Sequence, residues 1–160
     1  MQKNNSPFSL LINLLLIIQG ISSFAQDSSF NSYTSINKIT VGRLISDRVT
    51  SSFVNPSVVL EKDFNSINFT PGIKYKGVVP NNIVTKKLLL KFNIRNATDT
   101  INSIYFFPGF YYTNIQLFRL NGTSLVKIPN ILPDNSDSIG YRLITLNPFD
   151  SATIIAELSF

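Results

Sequence analysis

The stretch Lys87-Leu88-Leu89-Leu90-Lys91-Phe92-Asn93-Ile94-Arg95 decides how the rest of the chain is read. Leu88, Leu90, Phe92 and Ile94 recur at every second position, with Leu89, Lys91, Asn93 and Arg95 between them. Successive side chains of an extended strand point to opposite faces, so the first set shares one face and the second set the other. That pattern fits a strand with one face on a core. Asn96-Ala97-Thr98-Asp99 follows, and Asn, Thr and Asp turn the chain by hydrogen-bonding their own backbone.

Working outward from this strand, β-branched and aromatic runs alternate with Asn, Asp, Pro and Gly clusters. Downstream, Ile101–Phe107 is a strand ended by Pro108-Gly109. Asn114–Leu120 is another, closed by Asn121-Gly122, a hairpin signal, and Ser124–Ile128 returns from it. Residues 129–138 are a polar loop. Gly140–Leu146 and Ala152–Phe160 are the last strands, separated by Asn147-Pro148-Phe149-Asp150. Upstream, Ser57–Leu60 and Ile67–Phe69 read as short strands before the turn Thr70-Pro71-Gly72. No stretch sustains helical periodicity. Short strands at about ten-residue spacing predict an all-β fold, a single antiparallel β-sandwich or jelly roll.

The N-terminus reads as an export signal. Lys3 gives a positive start, Phe8–Ile18 is apolar apart from Ser9 and Asn13, and Ser23-Phe24-Ala25 offers a cleavage site before Gln26. The alternative is an uncleaved anchor, but the run is short for a span of about 20 residues and carries Asn13 and Gln19. The expected organisation is a signal peptide over 1–25, a Ser-, Asn- and Thr-rich lead over 26–44 with little to give the core, and a sandwich over 45–160. The mature 135 residues suffice for one domain without disulfides. Cysteine is absent, which is common in periplasmic modules and unusual in small eukaryotic secreted ones, so the expected location is a Gram-negative envelope. The sequons at Asn68, Asn96 and Asn121 matter only in a eukaryotic host. The chain ends on a strand with no polar tail, which reads as a truncated product or a piece of something longer.

With histidine also absent, the common general base, the usual zinc ligand and a Ser-His triad are excluded. Thiol nucleophiles and iron–sulfur clusters go with cysteine. The expectation is no enzyme, no catalytic residues and no cofactor. After the signal, thirteen basic residues face nine acidic ones, net +4, and only Lys86-Lys87 are adjacent, so no nucleic-acid partner is expected.

Three motifs taken together carry a resemblance. Leu88-Leu89-Leu90-Lys91-Phe92-Asn93-Ile94-Arg95-Asn96-Ala97-Thr98 is followed by Ile104-Tyr105-Phe106-Phe107-Pro108-Gly109 and by Asn114-Ile115-Gln116-Leu117-Phe118-Arg119. Tyr141–Leu146 and Asp150–Ile155 continue the series. In order and spacing these resemble the extracellular sensing domain of bacterial seven-transmembrane receptors with diverse intracellular signalling modules, across residues 45–160. Leu89 stands where that family often has Trp, and the seven membrane helices and the output module are missing from this chain. The resemblance implies a jelly roll akin to carbohydrate-binding modules, sited outside the inner membrane. It would bind a sugar or other small molecule, with a seven-helix membrane module as its signalling partner.

The candidate ligand-binding residues fall into three groups. Tyr105, Tyr111 and Tyr112 belong to an aromatic cluster with Phe106, Phe107 and Phe110. Rings of this kind stack on sugars, although Phe106, Phe107 and Phe110 also suit a core. Lys91, Asn93 and Arg95 share one strand face at about 7 Å intervals, as a binding row or a solvated face. Arg142 would pair with a carboxylate, bind an acidic ligand or reach solvent; its match to the family pattern implies a structural role, such as fixing a loop by bidentate contact. Glu61 and Asp63 share a side if their segment is a strand, but a catalytic pair needs a cleft and unlike environments. Asp134, Asn135, Asp137 and Ser138 form an oxygen-rich loop expected to be a solvated turn, with structural calcium as the lesser reading. A sandwich that binds a partner protein and no small ligand is the alternative function.

Overall fold

The computed structural model describes residues 32–36, 48–74, 79–131 and 140–160. The signal segment, most of the lead and the loop with Asp134, Asn135, Asp137 and Ser138 lie outside the described residues. The strands are β1 (Thr34–Ser35), β2 (Thr50–Val54), β3 (Thr70–Pro71), β4 (Lys87–Arg95), β5 (Asn102–Phe106), β6 (Asn114–Asn121), β7 (Ser124–Lys127), β8 (Arg142–Leu146) and β9 (Ser151–Ser159). Two single-turn helices, α1 (Leu60–Asp63) and α2 (Asn81–Val84), and a 3-10 turn (Phe64–Ser66) lie between them.

Among the described residues the fold is an all-β sandwich. Seven strands form the main sheet in the order β3-β2-β4-β9-β6-β7, with β1 added in parallel where Thr34 and Ser35 face Ile94 and Arg95; β5 and β8 form a second sheet. Every pairing but that of β1 is antiparallel.

The deciding strand behaves as its alternation predicts. Leu88, Leu90, Phe92 and Ile94 enter the core between the sheets. There they meet Ile115 and Leu117 of β6, Ile154, Ala156 and Leu158 of β9, Phe106 of β5, and Ile144 and Leu146 of β8. The rings of Phe92 and Phe106 stack across the layers at 5.5 Å. Lys91, Asn93 and Arg95 face the other way, and so does Leu89, which is wholly buried. Leu89, Ile155 and Phe118 form a second apolar cluster under Leu60, with Phe64, Ile67 and Phe69 packed around it. The segment 57–69 is thus a third layer over part of the main sheet's outer face.

That layer corrects one expectation. Ser57–Leu60 is no strand: it holds a turn closed from the Val58 N–H to Asn55 O, an extended Val59 and the start of α1. Leu60, Phe64 and Ile67 recur at i, i+4 and i+7, a helical period that fits the way one turn and a 3-10 turn lay all three on the sheet. Glu61 and Asp63 lie two apart on a helix, so they do not share a face. Asp63 Oδ2 instead accepts the Val59 N–H at 2.9 Å, tying the helix start. Ile67–Phe69 is irregular as well, and the strand there is Thr70–Pro71.

Two further segments differ from expectation. Thr50–Val54 is a strand although its inward positions read Val49, Ser51, Phe53, with a serine where an apolar residue would have marked the pattern. Ser51 is 2% exposed, and its hydroxyl donates to Gly72 O at 2.6 Å. The lead also reaches the core, because Ile36 packs inside beside β1. The β6–β7 hairpin turns on Gly122-Thr123, between the paired Asn121 and Ser124. Gly122 has φ +61° and Thr123 does not enter that region, the arrangement of a type II′ turn. Among the described residues no helix is long and apolar enough to cross a membrane.

Candidate functional site

β5 and β8 carry the aromatic residues to one end of the sandwich. Ile104 and Phe106 of β5 point inward, so Tyr105 points out, opposite Leu143. Tyr141, two residues before Leu143, leans on the same side. Its ring meets Tyr105 edge-on at 6.3 Å and stacks on Phe107 at 4.6 Å, and Phe107 in turn meets Phe110 edge-on at 4.9 Å. Gly140 makes this approach feasible: its φ is +92°, and a Cβ there would stand 3.1 Å from the Phe107 ring. The result is a continuous apron, Tyr105–Tyr141–Phe107–Phe110, with Tyr111 beside it. Phe110 is 78% and Tyr111 83% exposed, so Phe110 is no core residue.

Tyr112 turns back from the apron. It is half-buried against the Phe160 ring at 4.9 Å, and burial raises its phenol pKa above the usual value. The Thr113 N–H binds Ser159 O and fixes the loop's exit next to β9. Arg142 lies on the inward side of β8, in register with Phe106. Its Nε donates to Ile115 O at 3.0 Å and its Nη1 to Tyr141 O at 2.8 Å. It bridges the two sheets through backbone carbonyls and, among the described residues, meets no carboxylate. Burial lowers its pKa, yet a guanidinium keeps its charge.

Lys91, Asn93 and Arg95 do share one face, as the alternation required, but it is the outer face of the main sheet, away from the apron. Lys91 Nζ sits 5.7 Å over the Phe69 ring, Asn93 Oδ1 accepts from the Thr153 hydroxyl at 2.8 Å, and Arg95 is exposed. The candidates therefore divide between two surfaces.

The opposite end of the sandwich is a polar knot centred on Asn96, which is fully buried. Its Nδ2 donates to Thr100 O at 2.7 Å and Asn147 O at 2.9 Å, and its Oδ1 accepts from the Thr98 N–H, the Thr98 hydroxyl and Asn102 Nδ2. A sequon asparagine so committed has no amide left for a glycan. Beside it, Arg119 grips Asp150 with two bonds of 2.8 Å. The Arg119 hydrogen bond holds the Asp150 carboxyl below its usual pKa, and the same bond raises that of Arg119. The bidentate clasp expected of Arg142 is thus made by Arg119, and it fixes the 147–150 loop. In that loop Phe149 is 63% exposed at φ +55°, a rare backbone state for a bulky residue.

The sequence reading did not single out Tyr141 as a site residue, and of its two readings of Phe110 the structure shows the exposed one. Alternation through Tyr141, Leu143 and Thr145 was the available signal, since it sets Tyr141 on the outward side with Tyr105. Among the described residues no three His, Cys, Asp or Glu side chains cluster to hold a metal ion. Compared with known proteins, the chain matches no family model, no curated protein and no solved structure.

Proposed function

We propose that this chain is an exported, non-catalytic ligand-binding sandwich, the sensory part of an envelope receptor, whose aromatic end takes a sugar or a similar small molecule. The carrying observation is the apron: four rings in unbroken contact, extended by exposed Tyr111 and anchored on Phe107, which packs against Gly140. A ring face stacks on the C–H face of a sugar, and tyrosine adds a hydroxyl at its tip. On this reading the fold is a jelly roll of the carbohydrate-binding kind, held in a Gram-negative envelope, and a seven-helix membrane module carries its signal.

Among the described residues, the two outer edges of the main sheet speak against a partner that binds there by adding a strand. β3 has two residues, one of them Pro71, and β7 has four, ending in Lys127. Short edges with proline and lysine block such pairing.

Calorimetric titration of the chain against mono- and oligosaccharides tests the proposal. Saturable binding that Phe110→Ala and Tyr111→Ala each abolish, at unchanged melting temperature, is the expected result. A flat response from folded protein across the panel would move the function to a protein partner.

A further inference from the structure

A groove of about 380 Å³ opens on the outer face of the main sheet, on the side remote from β5 and β8. Its floor is built by register: Glu157 of β9 lies opposite Gln116 of β6 and diagonal to Lys87 of β4. Lys87 Nζ is 3.3 Å from Glu157 Oε1 and 3.0 Å from Val58 O. The two side chains retain only 20% and 14% exposure. Gln116 is 7% exposed and commits its Nε2 to Leu117 O and Ile128 O, so its carbonyl oxygen is the group it can offer a ligand. Pro56, Val58 and Val59 line one side with apolar groups, and Glu61 and Lys127 add a second carboxylate and a second ammonium, so the lining is mainly polar and its charges balance.

An ammonium has three N–H groups, and Glu157 and Val58 O engage two of those on Lys87. A carboxylate has two oxygens, and Lys87 engages Oε1 of Glu157. The floor therefore offers one ammonium donor and one carboxylate oxygen side by side. A lone anion here would meet Glu157, and a lone cation would meet Lys87. A molecule with its own ammonium and carboxylate on one carbon satisfies both: its carboxylate faces Lys87, its ammonium faces Glu157 and the Gln116 carbonyl. Charge-assisted bonds of this kind are roughly twice as strong as neutral ones. The apolar side of the groove then takes an aliphatic side chain.

We infer that this groove binds an aliphatic α-amino acid through its zwitterionic head. The site is separate from the aromatic apron and independent of sugar binding there.

The test is a calorimetric and NMR titration of the full chain with L-leucine, isoamylamine, which lacks the carboxylate, and 4-methylpentanoate, which lacks the ammonium. Leucine is expected to bind saturably and each analogue about tenfold more weakly. Glu157→Gln is expected to weaken leucine to the same degree, while Tyr111→Ala leaves leucine binding intact. The analogue series is read on the unaltered chain, so it stands even if Glu157→Gln folds poorly. No saturable leucine binding to folded protein, or an analogue binding as tightly as leucine, would overturn the assignment. Sugar binding lost in Tyr111→Ala but not in Glu157→Gln would separate the two sites.

Discussion

The two ends of the sandwich use their side chains in opposite ways. At the end where β4 stops and β9 starts, Asn96, Thr98, Asn102, Arg119 and Asp150 turn inward and bond the loops to one another. At the end where β5 stops and β8 starts, Phe110, Tyr111 and Tyr105 turn outward, with 78%, 83% and 53% of their surface exposed. The polar end carries the β4–β5 and β8–β9 turns, the aromatic end the β5–β6 turn and the entry to β8. A buried polar group is costly unless bonded, so the knot holds the fold together. An exposed ring contributes little to folding, which leaves the apron open to the ligand proposed for it.

That contrast can be broken most forcefully at Asn96. Asn96→Ala would strand the carbonyls of Thr100 and Asn147 and the Thr98 N–H, so urea unfolding is expected to show a loss of about 3 kcal/mol. Arg119→Met comes next, at about 1 kcal/mol, because solvent reaches both partners of the pair and screens it.

Acid titration sharpens the same point. The Asp150 carboxyl is held below its ordinary value, so its contribution is present above that value and lost as pH falls through the folded one. The margin of the unaltered protein over Asp150→Asn, followed by thermal unfolding, is expected to be full above about pH 5 and to shrink through the usual carboxylate pKa of about 3.9. Phe149→Gly removes a bulky residue from φ +55° and is expected to stabilise by about 0.5 kcal/mol. Phe110→Ala and Tyr111→Ala should move stability least, by less than about 0.5 kcal/mol. A loss above 2 kcal/mol from either ring, against the small effects of about 0.5 kcal/mol usual for surface residues, would mean that the apron is core and the contrast false.

Where side-chain period and turn chemistry agree, the sequence reading and the structure coincide. β4, β5, β6 and β9 have four or more residues in strict alternation or in near-continuous apolar runs, and β6–β7 has a glycine where its turn needs positive φ. β2 escaped notice because Ser51 occupies an inward position, acceptable only because Gly72 O, distant in sequence, receives its hydroxyl. Val58-Val59-Leu60 looked like a strand because three apolar residues in a row fit any period; the helix that starts at Leu60 lays Phe64 and Ile67 on the same patch of sheet. The groove floor was beyond reach for the same reason. Lys87, Gln116 and Glu157 are far apart in the chain, and only the register of three strands brings them together.

One consequence of the strand order concerns the time course of folding. β9, residues 151–159, lies between β4 and β6 and is hydrogen-bonded on both sides. Until those residues are available, β4 and β6 are two raw edges separated by a strand-wide gap, and Leu88, Ile115 and Ile94 have no Leu158, Ile154 or Ala152 to close on. Without it, β3-β2-β4 and β6-β7 remain two separate pieces of sheet. Joining them through β9 brings together partners 33 to 70 residues apart, and long-range closure of this sort is slow. Until β9 lies between them, the two pieces of sheet are held together only by the chain that connects them.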